Sequence, residues 1–284
     1  MKKIFTVLVI LLATVSLFAQ VTGSGSAKLT VAYGGGTSFD AKADVGYTLK
    51  FPMLEGEGPL FSGNNLKVKL NVGASPIAVT GALDFILTPV AIAEVSLGGG
   101  AGTGWDFPLM NLEGLRIGPS LGAPLASDHL GGVHYFGRAG GALQFDTGAI
   151  LSGDWSSILV RTYHELNYKG YTNATNPQAW EYEIGGAQVN GFNYKGEYIL
   201  AYQMPLRVNL VGVQLESFVH NVFDSGRSDF LYDVSALANV DLIDNLSLLT
   251  VVQFTNYEKD DNSKVQLRDK VGFKRVALIA SYSF

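Results

Sequence analysis

The sequence predicts an all-β fold, namely a transmembrane antiparallel up-and-down β-barrel. The chain is 47% hydrophobic and only 16% charged, yet after residue 19 it contains no apolar run as long as the roughly 20 residues of a membrane helix. Apolar and polar residues alternate with period two in one segment after another, which is typical of strands with two different faces. The last such segment, residues 276–284, ends on an aromatic residue.

The terminal segment also carries a family resemblance. Counting back in twos from Phe284 gives Tyr282, Ala280, Leu278 and Val276, and such a strand is expected to meet an interface rather than open water at its aromatic end. This pattern resembles bacterial outer-membrane β-barrels, which are porin-like in architecture and characteristically end on Phe after alternating apolar residues. The resemblance implies that Tyr282 and Phe284 form the signal read by the barrel-assembly machinery, and that lipid of the outer membrane surrounds the barrel. It identifies no subfamily.

Residues 1–19 are predicted to be a signal peptide that is removed. Lys2 and Lys3 form a positive start, residues 4–18 are apolar, and Ala19 is a small residue at the expected cleavage point. The alternative is a signal-anchor helix, but the apolar run is short for a bilayer crossing. The remainder, residues 20–284, is expected to form a single domain.

Period-two alternation and turn residues divide this domain into about twelve strands, the even number that such barrels use. The predicted strands span residues 27–33, 41–51, 66–72, 77–87, 90–98, 142–151, 158–169, 193–203, 206–219, 230–242, 246–257 and 276–284. Breaks expected at one end of the barrel lie at 88–89, 153–154, 204–205 and 244–245, and longer loops expected at the other end lie at 99–140, 170–191, 220–229 and 258–270. The long 52–65 connection is an exception, because it falls at the end with the short breaks.

The glycine-rich segment 99–140 leaves the strand count open. It is interpreted as a functional loop, with the glycines at 98–104 giving flexibility. The alternative is an additional strand pair, residues 113–118 with 133–137, which would make fourteen strands. Within strand 206–219 the polar residues change from odd-numbered to even-numbered positions, which predicts a bulge near Gly212.

If the apolar faces contact lipid, the polar faces line the lumen. The candidate lumen-lining residues are Lys42, Asp44, Lys67, Lys69, Asp84, Glu94, Asp146, Arg161, Glu165, Lys195, Glu197, Arg207, Asp233 and Arg275, and the same alternation places Lys28, Lys50, Glu216 and Asp241 on this face. The two signs balance, whereas a strongly ion-selective pore would be expected to show an excess of one sign. Mutual pairing that neutralises buried charge is therefore favoured over a narrow pore lined by opposed ladders of charge.

No catalytic residue is predicted. The chain resembles outer-membrane phospholipases and lipid A deacylases in architecture, but the His-x-Ser pair of those enzymes is absent after each of the four histidines, His129, His134, His164 and His220. Proteases of the omptin type use acidic and histidine side chains at alternate positions, whereas Asp128 and His129, like Asp260 and Asp261, are adjacent.

The sequence also predicts no cofactor and no metal site, because the histidines lack ligand spacing and the glycines match no phosphate-binding loop. A net charge of −5 argues against a nucleic-acid partner. The absence of cysteine excludes disulfides.

These patterns favour a porin-like passive channel for small solutes. A closed structural or adhesive barrel, acting through loops 99–140 and 170–191, is the main alternative. A third alternative is a transporter of apolar small molecules, because the long loop is unusually apolar at Leu109, Met110, Leu112, Leu115 and Leu121. Placement of those side chains inside the barrel would favour transport, and placement beyond its rim would favour adhesion. The spacing predicts no particular oligomeric state.

Overall fold

The structure, a computed structural model, describes residues 21–34, 38–224 and 229–284. The predicted signal peptide lies outside these residues. The strands, in chain order, are β1 (Thr22–Gly34), β2 (Ser38–Pro52), β3 (Asn65–Ser75), β4 (Ala78–Val90), β5 (Ala93–Gly104), β6 (Asp106–Phe107), β7 (Leu112–Glu113), β8 (Leu115–Gly118), β9 (Ala126–Ser127), β10 (His134–Asp146), β11 (Ile158–Tyr171), β12 (Ala179–Tyr182), β13 (Gly191–Gln203), β14 (Val208–Val219), β15 (Phe230–Ile243), β16 (Leu246–Lys259) and β17 (Val265–Ser283). Two single 3₁₀ turns occupy Pro108–Met110 and Thr147–Ala149. No helix among the described residues is long and apolar enough to cross a membrane.

Twelve of the strands form one closed antiparallel barrel. Their order around the wall is β1-β17-β16-β15-β14-β13-β11-β10-β5-β4-β3-β2, and β2 pairs with β1 to complete the circle. The first and last strands, β1 and β17, pair with each other from Ser26 opposite Ser283 to Tyr33 opposite Val276. Backbone hydrogen bonds join Gly25 and Phe284 in both directions. The predicted barrel of twelve strands is thus confirmed, and the alternative of fourteen is wrong.

The wall has two faces because successive side chains of a strand point to opposite sides. Leu29, Val45 and Leu70 belong to the outward set and are about half exposed. The outward set continues around the barrel as exposed apolar or aromatic side chains, among them Val72, Leu83, Phe85, Val95, Leu97, Leu143, Val160, Leu200, Val213, Phe254 and Leu278. An apolar exterior on a closed barrel is the surface expected to face lipid.

Several predicted boundaries need correction. Residues 99–104 and 134–140 belong to barrel strands β5 and β10, so the long loop is shorter than the predicted 99–140. The β4 strand continues through the expected break at 88–89 to Val90. The irregularity in β14 lies between Val208 and Leu210, before the predicted bulge at Gly212. The first two differences share a cause, since glycine and proline do not end a ladder whose partner strand continues.

The connections sort by barrel end largely as predicted. We call the end that holds Thr22 and Ser283 the terminal end, and the opposite one the loop end. Short connections at the terminal end include 243–246 and 203–208, whereas the 104–134 and 171–191 segments lie at the loop end. The 52–65 connection is a long one at the terminal end, as the sequence indicated. The β3–β4 turn, residues 75–78, is a short one at the loop end.

Candidate functional site in the barrel lumen

The inward face of the barrel carries most of the predicted lumen residues, and many of them form ion pairs. The pairs are Lys67–Glu94 at 2.9 Å, Arg138–Asp84 at 2.6 Å, Arg161–Glu197 at 2.6 Å, Lys195–Glu216 at 2.8 Å, Lys274–Asp233 at 2.5 Å, Lys42–Glu183 at 3.2 Å and Arg275–Asp40 at 3.9 Å. Each joins side chains that are at most partly exposed. This arrangement supports mutual neutralisation as the main role of the lumen charges.

Four members of these pairs were missing from the predicted set. Arg138 lies before the predicted strand 142–151, so the alternation of that strand did not show that the Arg138 side chain points inward. Lys274 lies where the β16–β17 register shifts after Gln253, and an irregularity of that kind leaves no period-two signal. Asp40 and Glu183 lie at the start of β2 and in the 171–191 segment.

Other predicted residues have polar partners instead of ion pairs. Asp44 accepts a hydrogen bond from Asn71, Glu165 accepts from Tyr163 and Asn167, and Asp146 accepts from Ser157. Arg207 lies in the 203–208 connection at the terminal end rather than on a strand. Lys69 differs from all of these: it is exposed within the lumen, and it takes part in none of the ion pairs formed by the described residues.

Three short strands at the loop end form a small sheet that we call the mouth sheet. β8 pairs with β12 and with β9, so residues about sixty positions apart lie side by side. Leu115 and Trp180 are completely buried in it, and Tyr171 at the end of β11 packs in the same cluster. A buried cluster at a barrel mouth gives this segment a fixed structure.

One edge of the mouth sheet is attached to the wall through β4 and β10. The Tyr182 hydroxyl donates to the carbonyl of Val79 at 2.9 Å and lies 2.7 Å from the Thr80 hydroxyl. Its ring stacks on His134, with centroids 4.5 Å apart. Burial raises the pKa of Tyr182 to about 12, so the hydroxyl remains protonated as a donor. Glu183, next in sequence, pairs with Lys42 on β2.

The segment that follows β12 reaches the β16–β17 connection. Lys259 donates to the carbonyl of Ile184 at 2.8 Å, and the Ala187 amide donates to the carbonyl of Ser263 at 2.7 Å. Arg116 in β8 bonds to Glu181 and also to Ser263. β4 and β16 are separated by several strands on either side. The mouth sheet therefore crosses the loop end of the lumen.

The glycine run explains how the wall accommodates these contacts. A Cβ at Gly98 would overlap the Asp84 carboxylate, one at Gly100 would overlap the Phe136 ring, and one at Gly102 would overlap the Tyr182 hydroxyl. The three inward glycines thus make room for side chains that approach closely. Their interpretation as a flexible loop is wrong, because residues 98–104 are part of β5.

Among the residues that the structure describes, cavities lie at both ends of the barrel. One of about 310 Å³ lies beside the mouth sheet and is lined in part by Leu121, His220 and Lys264. A second of about 540 Å³ lies at the terminal end. Its lining residues come from five strands and the adjoining connection, namely Leu159, Ile199, Gln203, Met204, Asn209, Leu210, Leu237, Asn239 and Leu249.

The five apolar residues of the long loop divide between the inside of the loop end and its exposed surface. Leu115 is buried in the mouth sheet, Leu112 packs against the same cluster, and Leu121 lines the smaller cavity. Leu109 is 90% exposed and Met110 is 49% exposed. Three of the five side chains therefore lie in or beside the mouth sheet, and two lie on the exposed surface of the loop end.

The adjacent acidic and histidine residues have structural contacts at the loop end. His129 accepts a hydrogen bond from the Asp106 amide at 2.8 Å, whereas Asp128 accepts from Tyr171 and Asn173. Asp260 accepts from two amides of its own turn. These contacts order the loops. Within the described ranges, no group of three or more His, Asp or Glu side chains is positioned to hold a metal ion.

Comparison with known proteins gives similarity in architecture only. No family model and no curated protein matches the sequence. Among solved structures, the outer membrane protein OmpT of Vibrio cholerae, in its trimer form, has a TM-score of 0.40 at 7% identity, covering 93% of this chain and 99% of that one. The transport unit of the autotransporter AIDA-I from Escherichia coli has a TM-score of 0.38 at 12% identity, covering 94% and 91%. Pseudomonas putida OprB has a TM-score of 0.36 at 7% identity, covering 93% and 94%.

Similarity at these identities concerns architecture and not function. Its closed wall, apolar exterior and charged interior are the three features that a barrel surrounded by lipid requires. The chain is accordingly a transmembrane β-barrel of twelve strands, similar in architecture to bacterial outer-membrane porins.

Proposed function

We propose that this barrel is a passive outer-membrane channel for small solutes. The observation that carries the proposal is the exposure of Lys28, Lys50 and Lys69, which point into the lumen and are nevertheless exposed. In a barrel filled by its own side chains these ammonium groups would be buried and would require carboxylate partners. The two cavities support the same conclusion, because they leave space beside and below the mouth sheet.

In this proposal the loop end is extracellular and the terminal end periplasmic, following the usual arrangement of such barrels. Export through a removed signal peptide at residues 1–19 and assembly through Tyr282 and Phe284 belong to the same proposal. The chain performs no chemistry, and the paired lumen charges with the mouth sheet set which solutes pass. Sequencing the N-terminus of the protein purified from membranes tests the cleavage after Ala19.

Single-channel recording tests the channel itself. Residues 20–284, refolded into a planar bilayer, are expected to give stepwise, ohmic current. A second protein, in which a short Gly-Ser turn replaces residues 107–131, retains β5 and β10 intact and is expected to give larger steps because most of the mouth sheet is removed. Silence from both proteins, with folding shown by reduced gel mobility after heating, would refute the open channel.

A closed adhesive barrel is the second candidate. The exposed pair Leu109 and Met110, at the tip of the β6–β7 hairpin, is the observation in its favour. An L109S/M110S double variant separates the two functions. It is expected to conduct like the unmodified protein, and a loss of binding to a surface partner with unchanged current would instead support adhesion.

A further inference from the structure

At the terminal end, two opposite sides of the lumen wall differ in polarity. One side is apolar, with Leu159, Ile199, Leu210, Leu237 and Leu249 lining the 540 Å³ cavity. All five are half-buried, so part of each apolar side chain faces the space inside the barrel. Inward-facing leucines add nothing to contact with lipid, and apolar surface left in contact with water inside the lumen is unfavourable.

The opposite side carries positive charge. β3 lies six strands from β14 in either direction around the wall, so Lys67 and Lys69 face the apolar side. Lys50 lies opposite Lys67 in the β2–β3 ladder. Lys67 is paired with Glu94, whereas Lys50 and Lys69 are exposed and, within the described ranges, belong to none of the ion pairs. Two unpaired ammonium groups thus face five apolar side chains.

The polar residues of the cavity are amides rather than carboxylates. Gln203, Asn209 and Asn239 line it beside the leucines. Asn239 donates to Asn209 at 2.8 Å, and Asn209 donates to Asp241 at 2.6 Å. Asp241 itself is not among the lining residues, so the surface directly beside the leucines carries no charge.

We infer that the terminal half of the lumen binds organic anions that carry an apolar tail, of which alkyl carboxylates are the simplest. The tail packs on the leucine side, and the anionic group faces Lys50 and Lys69. The inference rests on the proposed channel for access to the site, and it narrows the solute class beyond small solutes in general. Complementarity of both charge and polarity carries it.

Block of the single-channel current by hexanoate, compared with acetate, tests the inference. Each fully buried methylene is worth about fourfold in affinity, and hexanoate has four more methylenes than acetate. Hexanoate is therefore expected to block at a concentration at least about tenfold lower. Equal potency of the two anions would overturn the inference while leaving the channel intact.

Matched variants locate the site. Leu237→Asn is expected to raise the blocking concentration of hexanoate several-fold, whereas Leu121→Asn, at a half-buried leucine that lines the smaller cavity beside the mouth sheet, is expected to leave it unchanged. Lys69→Gln is expected to reduce the preference for hexanoate over hexanol, and Lys270→Gln, which removes an exposed charge on β17 towards the loop end, is the control. Equal effects of the test and control variants would contradict the assignment.

A second readout keeps binding separate from conduction. If the folded barrel gives no current, saturable binding of hexanoate to the protein in nanodiscs, lost in Leu237→Asn and in Leu249→Asn, would support the site although the channel proposal had failed. Absence of saturable binding in nanodiscs would overturn the site as well. Heat-dependent gel mobility verifies that each variant is folded.

Discussion

Tyr182 and His134 lie face to face at the loop end, with ring centroids 4.5 Å apart and ring planes inclined by 10°. Through this contact a residue of the long 171–191 segment packs on the first residue of a barrel strand. The Tyr182 hydroxyl extends the attachment to β4. The pair therefore fixes one edge of the mouth sheet to the wall.

Tyr182→Ala is expected to release this edge, because it removes the stacking, both hydroxyl contacts and a buried ring, a loss of about 3 kcal/mol. Faster hydrogen exchange in β8 and β12, together with larger or noisier current steps, would report the release. Tyr198→Ala is the control, since Tyr198 is 40% exposed on the outer face. Unchanged exchange in the Tyr182 variant would show that the sheet is held elsewhere.

Glu181→Gln is expected to destabilise the mouth sheet much more than Glu183→Gln. The Glu181 side chain is 3% exposed and contacts Arg116, Lys259 and the Gly186 amide. Removing its charge leaves Arg116 without its main partner and costs about 3 kcal/mol or more. Glu183 is 25% exposed, so its loss is expected to cost about 1 kcal/mol or less. Hydrogen exchange of the β8 amides measures both, and equal costs would contradict the dominant role of Glu181.

Gly98→Ala is expected to destabilise the barrel by about 1–3 kcal/mol through overpacking. The new methyl group would overlap Asp84, which is bonded to Arg138 through two hydrogen bonds. Gly137→Ala provides a matched control on the neighbouring strand, because nothing lies within 4 Å of the added Cβ. Urea unfolding followed by tryptophan fluorescence compares the two. Equal stability of the variants would show that the Asp84–Arg138 pair can shift at no cost.

Acid is expected to loosen the connection after β14. Burial, aided by the positive charge of Lys169, lowers the pKa of His220 from 6.5 to about 4. The neutral imidazole is favoured in the folded state, so its contribution is fully present above pH 6.5 and is lost as the pH falls through 4. His220 lies 3.4 Å from the Asn193 side chain, which also accepts from the Asn221 amide.

Hydrogen exchange of the Asn221 amide, corrected for its intrinsic pH dependence, tests this expectation. Protection is expected to fall between pH 6.5 and 4 in the unmodified protein and to remain constant in His220→Gln. A decline of the same size in the glutamine variant would assign the effect to another group.

The sequence by itself determined the fold class and the orientation of most side chains, and it favoured twelve strands over the alternative of fourteen, which the structure excludes. These depend on period-two alternation, which each strand carries regardless of its partners. Alternation alone therefore predicted that Lys67, Glu94, Arg161 and Glu197 lie on the inner face. The sequence also predicted the turn at residues 244–245, because turn residues determine the local backbone.

Only the tertiary structure decided which segments meet across the lumen. The pairing of β8 with β12 joins distant segments, and no local signal specifies such a partner. Lys274 contacts Asp233 because of a register shift at Gln253, which breaks the very periodicity that predicts side-chain direction. Leu237 and Leu249 are apolar and nevertheless lie on the inner face. Alternation did not reveal this, because it separates the two faces of a strand without showing whether an apolar residue faces lipid or lumen.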